Sequence, residues 1–288
     1  MPTLRELFPA LQSRDVSQPA ITCYDRTGGA THGERIELSG RVLLTWASKA
    51  GNALQDEWSL EPGSTVGLAL PAHWRAGYWA LATWWAGATL VTGAGALEAD
   101  LLVTDDPTLA AEAPGEAALV TLAGLARSHP GPVPAGVMDE ARELATYGDR
   151  FDALDSPGPG AVAWRRSDGT RLYDDPLRAD DRRTCLVVGE EADRHTADLE
   201  DALDRMVRGW SGDGSLVLVR TGAPGSGGPG DPGDAGDGLA GVAGVAGIDG
   251  IDGIVEAERA ELVRDRPERS PGAATCGVSE VVTRPSTG

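Results

Sequence analysis

The chain has a single lysine, Lys49, among its 25 basic residues, so arginine carries almost all of its positive charge. Its three cysteines, Cys23, Cys185 and Cys276, are odd in number and widely separated. That excludes a disulfide framework and leaves no CxxC pair for a metal or redox centre. No apolar run approaches eighteen residues, so no membrane span is expected. The opening MPTLRELFPALQSRD has neither a basic start nor an apolar stretch, so no secretory leader is expected and a reducing cytoplasm is the simplest home. No basic cluster is longer than a pair, and 44 acidic residues leave a net charge of −19. Nucleic acid and anionic membrane surfaces both need a cationic face and are therefore not expected as partners. His32, His73, His129 and His195 lack neighbours at ligand spacing, so no metal is expected. The pairs Asp105-Asp106, Asp174-Asp175 and Asp180-Asp181 read as solvated acidic loops.

What is present is the composition of a globular protein, 41% apolar and 24% charged, over 288 residues. Thr3 and Glu6 form a capping-box pattern ahead of Leu4, Leu7, Phe8 and Leu11 on one helical face. AITCYD (20–25), a Gly-rich turn and RIELS (35–39) make a hairpin pattern. LLTWASKAGNALQDEW (43–58) is helical in spacing, Pro62-Gly63 breaks the chain, and TVGLALP (65–71) reads as a buried strand. HWRAGYWALATWWAG (73–87) is the strongest helix pattern. The spacing places Trp74, Tyr78, Ala82 and Trp85 on a face that would lie on a sheet, with Trp79 and Trp84 pointing elsewhere. Short strands follow at ATLV (88–91) and DLLVTD (100–105). The middle predicts strands at 118–122, 161–165 and 184–189, and helices at 136–146 and 194–209. GDGSLVLV (212–219) supplies the last strand. Alternating strands and helices predict an α/β fold, a doubly wound, mostly parallel sheet with helices on both faces.

From Gly222 onward glycine recurs about every third residue, and such a chain cannot offset its ordering entropy with buried surface. The sequence therefore predicts a folded domain over 1–220 and a Gly-rich low-complexity tail over 221–288. RTGAPGSGGPGDPGD (220–234) follows a strand as a phosphate loop would. It has no lysine, however, and no helix pattern behind it, so it reads as a linker. GWSGD (209–213) approaches G-x-S-x-G but joins helix to strand, the reverse of a nucleophile elbow.

The order of these patterns over the first hundred residues resembles the N-terminal part of the adenylate-forming superfamily, the acyl-CoA synthetases and AMP-dependent ligases. Pro62-Gly63, Val66, Leu70-Pro71, Trp74, Ala80, Ala86-Gly87-Ala88 and Val91 fall in order within a phrase of that family. The chain resembles in particular an actinobacterial group of short synthetase-like proteins. The resemblance implies the family's α/β fold, but the Ser/Thr/Gly-rich phosphate loop ending in Pro-Lys should precede GSLVLV and has no counterpart there. The family's catalytic lysine also has no match, because Lys49 lies in the wrong region. The resemblance thus implies a binding or accessory domain without complete adenylation activity, with no cofactor and with a small molecule or protein as partner. The alternative is a nucleotide or acyl-ligand binder within a split ligase, which would take ATP or AMP. No catalytic residue is assigned. His73, just beyond a strand's carboxyl end, and Trp74 are the candidate ligand-binding residues, because open α/β sheets bind ligands there.

Overall fold

Thr3 and Glu6 open the first helix as their spacing predicts: the Thr3 amide donates to the Glu6 carboxylate at 3.0 Å. The computed structural model describes residues 1–189, 195–222 and 250–263. Helix α1 (Leu4–Ser13) buries Leu4, Leu7 and Leu11. Strands β1 (Pro19–Arg26) and β2 (Arg35–Ser39) form the expected hairpin, and Ser39 then caps α2 (Gly40–Asp56) by accepting from the Val42 amide. Strand β3 (Thr65–Ala69), helix α3 (Trp74–Trp85), β4 (Thr89–Val91), a 3-10 segment (Gly93–Glu98) and β5 (Leu101–Thr104) follow. Next come α4 (Pro107–Glu112) and β6 (Glu116–Leu119), then β7 (Met138–Asp139) and α5 (Glu140–Glu143). After these lie β8 (Val162–Arg166), β9 (Gly169–Leu172), β10 (Arg183–Gly189), α6 (His195–Trp210) and β11 (Ser215–Thr221). The last elements are α7 (Gly250–Ala257) and β12 (Glu261–Leu262).

The strands form two sheets where the sequence suggested one. The first has the order β7-β6-β5-β3-β4-β8-β9 and the second β12-β10-β11-β1-β2. Every pairing is parallel except β8 with β9 and β1 with β2, so each antiparallel pair sits at a sheet edge. Alternation along the strands sets the layers. Leu216 and Leu218 of β11 enter the main core with α1, α2, α3 and α6, while Val217 and Val219 face the opposite side. In the first sheet Ala118 and Val120 face that same core, and Ala117 and Leu119 pack with Ala110 of α4. Two sheets therefore enclose a shared helical layer, with α4 and α7 outside. At the centre of β3, Gly67 lies beneath the 3-10 segment, where a Cβ would come within 1.9 Å of the Ala96 carbonyl oxygen.

Three expectations change. Helix α3 is buried on all sides because it occupies the middle layer, which explains why it is apolar all round. The face assignment reverses at its end. Trp84 donates its indole N–H to the Ala163 carbonyl of β8 at 3.0 Å. Trp85 instead meets Phe151 edge-on, with ring centroids 5.0 Å apart, and stacks on Phe8. Second, the helix expected over 136–146 begins as edge strand β7, with Met138 paired to Ala118. Asp139 then caps α5 through the Arg142 amide, a role suited to its short acceptor side chain.

Third, the fold resumes after the position near Arg220 where the sequence predicted its end. Ile254 of α7 is fully buried against Tyr24, Cys185, Val217 and Val219. Glu258 accepts from the Tyr24 hydroxyl, from Arg35 at 2.8 Å and from Arg183 at 2.5 Å. Strand β12 pairs with β10 through Thr184 with Glu261 and Cys185 with Leu262. The cause is an amphipathic spacing (Ile251, Ile254, Val255, Glu258) hidden among the triplet glycines. The rest of the Gly-rich stretch, residues 223–249, and the chain beyond Val263 lie outside the described residues.

Candidate functional site

Strand β3 leads to β4 on one side, and the chain then crosses back to β5 on the other. The carboxyl ends of β3 and β5 therefore diverge at a topological switch point, where open α/β sheets leave a crevice. The ends of β6, β10 and β11 open onto the same space, which is a cleft of about 790 Å³. That volume suits a small organic ligand. Its wall is largely aliphatic, with Leu68, Leu70, Leu109, Val120, Leu122 and Leu199, and its polar groups come from the strand ends, from His129 in the loop before β7 and from His195, Thr196 and Asp198 at the start of α6.

Asp25 and Arg220 are the penultimate residues of β1 and β11 and registered partners across the parallel pair. Both are buried, and Arg220 Nη1 lies 2.5 Å from Asp25 Oδ2. The same carboxylate accepts from the Thr27 amide at 2.9 Å, the Thr27 hydroxyl at 2.5 Å and the Thr31 hydroxyl at 2.6 Å. Burial alone would raise the Asp25 pKa, but the two hydroxyls and Arg220 outweigh it and hold it below the ordinary carboxylate value. Arg220 lines the cleft with its charge already matched. Asp105, one residue beyond β5, also lines it, and burial raises its pKa despite the nearby Arg220. Its neighbour Asp106 caps α4 through the Thr108 amide at 2.7 Å. Thr121 lines the cleft as well, and its buried hydroxyl has no partner among the described residues.

The candidate His73 is not in the cleft wall. It caps α3, Nδ1 accepting from the Arg75 amide at 3.3 Å, and burial together with Arg220 and Arg75 pushes its pKa well below the ordinary value. His73 is thus a neutral, buried cap. Trp74 is buried beside it, its ring 4.4 Å from the Arg75 guanidinium. Arg75 in turn pairs with buried Glu140 at 3.0 Å and donates to the Ala123 carbonyl at 2.9 Å. The Tyr78 hydroxyl donates to the same Glu140 carboxylate. Arg75 thereby ties α3 to the 120–123 wall, and His73 and Trp74 lie buried beside it.

Of the other positions weighed in the sequence, Asp174 pairs with Arg5 at 2.8 Å and Asp180 with Arg182 at 2.9 Å. Ser211 closes α6 by donating to the Val207 carbonyl at 2.7 Å. Lys49 is held by the Ala145 and Tyr147 carbonyls and by Asp149, none of which borders the cleft. Asp25, Arg220 and Thr121 were not singled out as ligand-facing residues, and Asp105, read from the sequence as part of a solvated acidic loop, is half-buried in the cleft wall. A signal existed for Asp25 and Arg220, since each is a charged residue ending an apolar strand.

No family model matches the chain. It is 38% identical over 159 residues to a TIGR03089 family protein of Mycobacterium tuberculosis, an alignment that takes in 53% of this chain and 63% of that protein. The chain thus spans less than two thirds of that relative. Among solved structures, an acyl-CoA synthetase of Brucella canis superposes with a TM-score of 0.56 at 16% identity, over 77% of this chain and 43% of the synthetase. The acetoacetyl-CoA synthetase of Streptomyces lividans also gives 0.56 at 16% identity, over 76% of this chain and 38% of that one. The N-terminal domain of FACL13 from Mycobacterium tuberculosis gives 0.50 at 10% identity, over 76% and 57%.

The chain therefore has the fold of the N-terminal part of acyl-CoA synthetases. Among the described residues, no helix is long and apolar enough to cross a membrane.

Proposed function

We propose that this chain is a small-molecule-binding domain on a synthetase-type fold that does not itself carry out adenylation. The observation that carries the reading is the cleft at the joint carboxyl ends of the two sheets, aliphatic in its walls and without a lysine among its lining residues. Adenylyl transfer develops anionic charge that must be met by fixed cationic donors. In this cleft Arg220 is committed to Asp25, Asp105 and Asp106 add carboxylates, and the chain's one lysine is engaged elsewhere. These features favour binding, of a metabolite or a partner protein, over phosphate chemistry.

ATP-dependent pyrophosphate exchange over a panel of carboxylic acids tests this reading. No exchange is expected with the wild-type chain, and turnover above the protein-free blank overturns the proposal. A ligand panel read by melting temperature is expected to reveal a stabilising compound whose effect is weakened in Leu109→Trp, where the indole narrows the cleft. Stabilisation by ATP–Mg²⁺ or AMP would favour a split ligase instead.

A further inference from the structure

We propose that α7 and β12 form a releasable strap: they fill, from within the chain, a docking surface on the second sheet that accepts an acidic amphipathic helix, and they leave it as one unit while the rest of the domain stays folded. The surface shares no residue with the cleft and lies on the sheet face turned away from the main core. Strand β11 ends at Thr221 and α7 begins at Gly250, so the strap joins the sheet through a long stretch of sequence and not through a tight turn. Its apolar contacts form a small cluster of their own, Ile254 against Tyr24, Cys185, Val217 and Val219, with Val255 and Leu262 partly buried beside them. Its ladder is two residue pairs on β10, whose outer edge it covers. Lifting the strap takes no residue out of the main core, which is the condition for a segment to open below global unfolding.

The charges beneath the strap say what the surface accepts. The Glu258 carboxylate takes the Arg35 guanidinium at 2.8 Å, the Arg183 guanidinium at 2.5 Å and the Tyr24 hydroxyl. Without Glu258, Glu37 is the one carboxylate among the described residues that pairs with either arginine, 2.7 Å from Arg35 and 3.7 Å from Arg183. Two partly buried guanidiniums would then share one carboxylate, on a chain whose net charge is −19. An apolar strip beside two arginines and an open strand edge suits a helix with an aliphatic residue and, one turn on, a carboxylate on the same face, followed by a short strand. Ile254 and Glu258, followed by β12, are that arrangement. An apolar helix without the carboxylate would leave both guanidiniums short of a counter-charge, and a basic one would add to the excess.

Two measurements on the full chain test the proposal. In the first, amides of 254–263 and of 216–219 are followed by hydrogen exchange in rising urea. The strap amides are expected to exchange through an opening of lower free energy and weaker urea dependence than those of β11. One free energy and one urea dependence shared by both sets overturns release as a unit. In the second, a labelled peptide with the sequence of residues 250–263 is titrated into the wild-type chain and into Ile254→Asp, whose own strap is expelled. The peptide is expected to bind Ile254→Asp at least about tenfold more tightly than wild type, where the strap competes, and to weaken by about tenfold when it carries Glu258→Ala. Absence of binding to Ile254→Asp, or equal binding by the peptide carrying Glu258→Ala, overturns the docking surface. If Ile254→Asp fails to fold, the chain variant Glu258→Ala takes its place; it frees the same two arginines, and its failure to take up the wild-type peptide counts against the proposal.

Discussion

Replacing Asp25 by Asn tests the cleft floor most sharply. The carboxylate accepts from the Thr27 amide and hydroxyl on one oxygen, and from the Thr31 hydroxyl and Arg220 on the other. Asn keeps one acceptor oxygen, so the Thr27 pair survives. Its NH₂ group then points a donor at two donors, and Arg220 loses its counter-charge. Removing one member of a buried ion pair costs about 3–5 kcal/mol. Arg220 borders the open cleft, where water can reach it, so the lower end applies, about 3 kcal/mol. At roughly 2–4 °C per kcal/mol for a domain of this size, the melting temperature falls by about 6–12 °C.

Urea denaturation followed by circular dichroism measures the loss, and Arg220→Met completes a double-mutant cycle. The two single losses are expected to exceed the loss in the double variant by about 1–3 kcal/mol, because each strands the other's charge. The pH dependence follows from the sign of the shift. The folded pKa of Asp25 lies below the unfolded value near 3.9, so the pair's contribution is complete above that value and is lost as pH falls through the folded pKa. The difference between wild type and D25N is therefore full at pH 7 and shrinks below about pH 4. A D25N loss under about 1 kcal/mol at pH 7, or additive single losses, refutes the coupling.

Gly67→Ala is expected to destabilise the chain by about 1–3 kcal/mol or to prevent folding, since its methyl would meet the Ala96 carbonyl of a crossing backbone; a melting curve checks it. Burial pushes the Cys185 thiol up to about 11 and Cys23 to about 12, so in a Cys276→Ser background neither is expected to react with a disulfide reagent at pH 8. In that background Glu258→Ala removes the acceptor of Tyr24, Arg35 and Arg183 and loosens α7, and Cys185 is then expected to react while Cys23 stays protected. Ile254→Ala is expected to give the same labelling and to cost about 2–5 kcal/mol, measured by urea denaturation.

The sequence made the elements of the first hundred residues legible because their signals are local. A capping box, a hairpin turn and the aliphatic strand at 65–69 each act over a few residues. Pairing was not local. β1 joins β11 across most of the chain, and nothing in AITCYD or SLVLV announces that partnership or the division into two sheets. The face of α3 was misassigned for a related reason: a helix apolar on every side has no periodicity from which to orient it. Helix α7 was hidden because glycine at every third position masked a spacing of three and four in its aliphatic residues. The candidate site was legible only in kind. The ends of parallel strands drew attention to His73, but a residue's place in line with a strand does not say whether it lines the crevice or supports it from below. The Asp25–Arg220 pair depends on the register of two distant strands, and so emerges only with the fold.

Hydrogen–deuterium exchange with and without a ligand drawn from the panel tests the central claim most directly. Ligand in the cleft is expected to slow exchange at residues 68–72 and 120–123 of the first sheet and at 195–199 and 220–221 beside the second, all at once. Protection confined to the groove between α1 and α3, near Phe8, Trp85 and residues 153–157, would contradict the account, as would a bound ligand that protects only one of the two sheets.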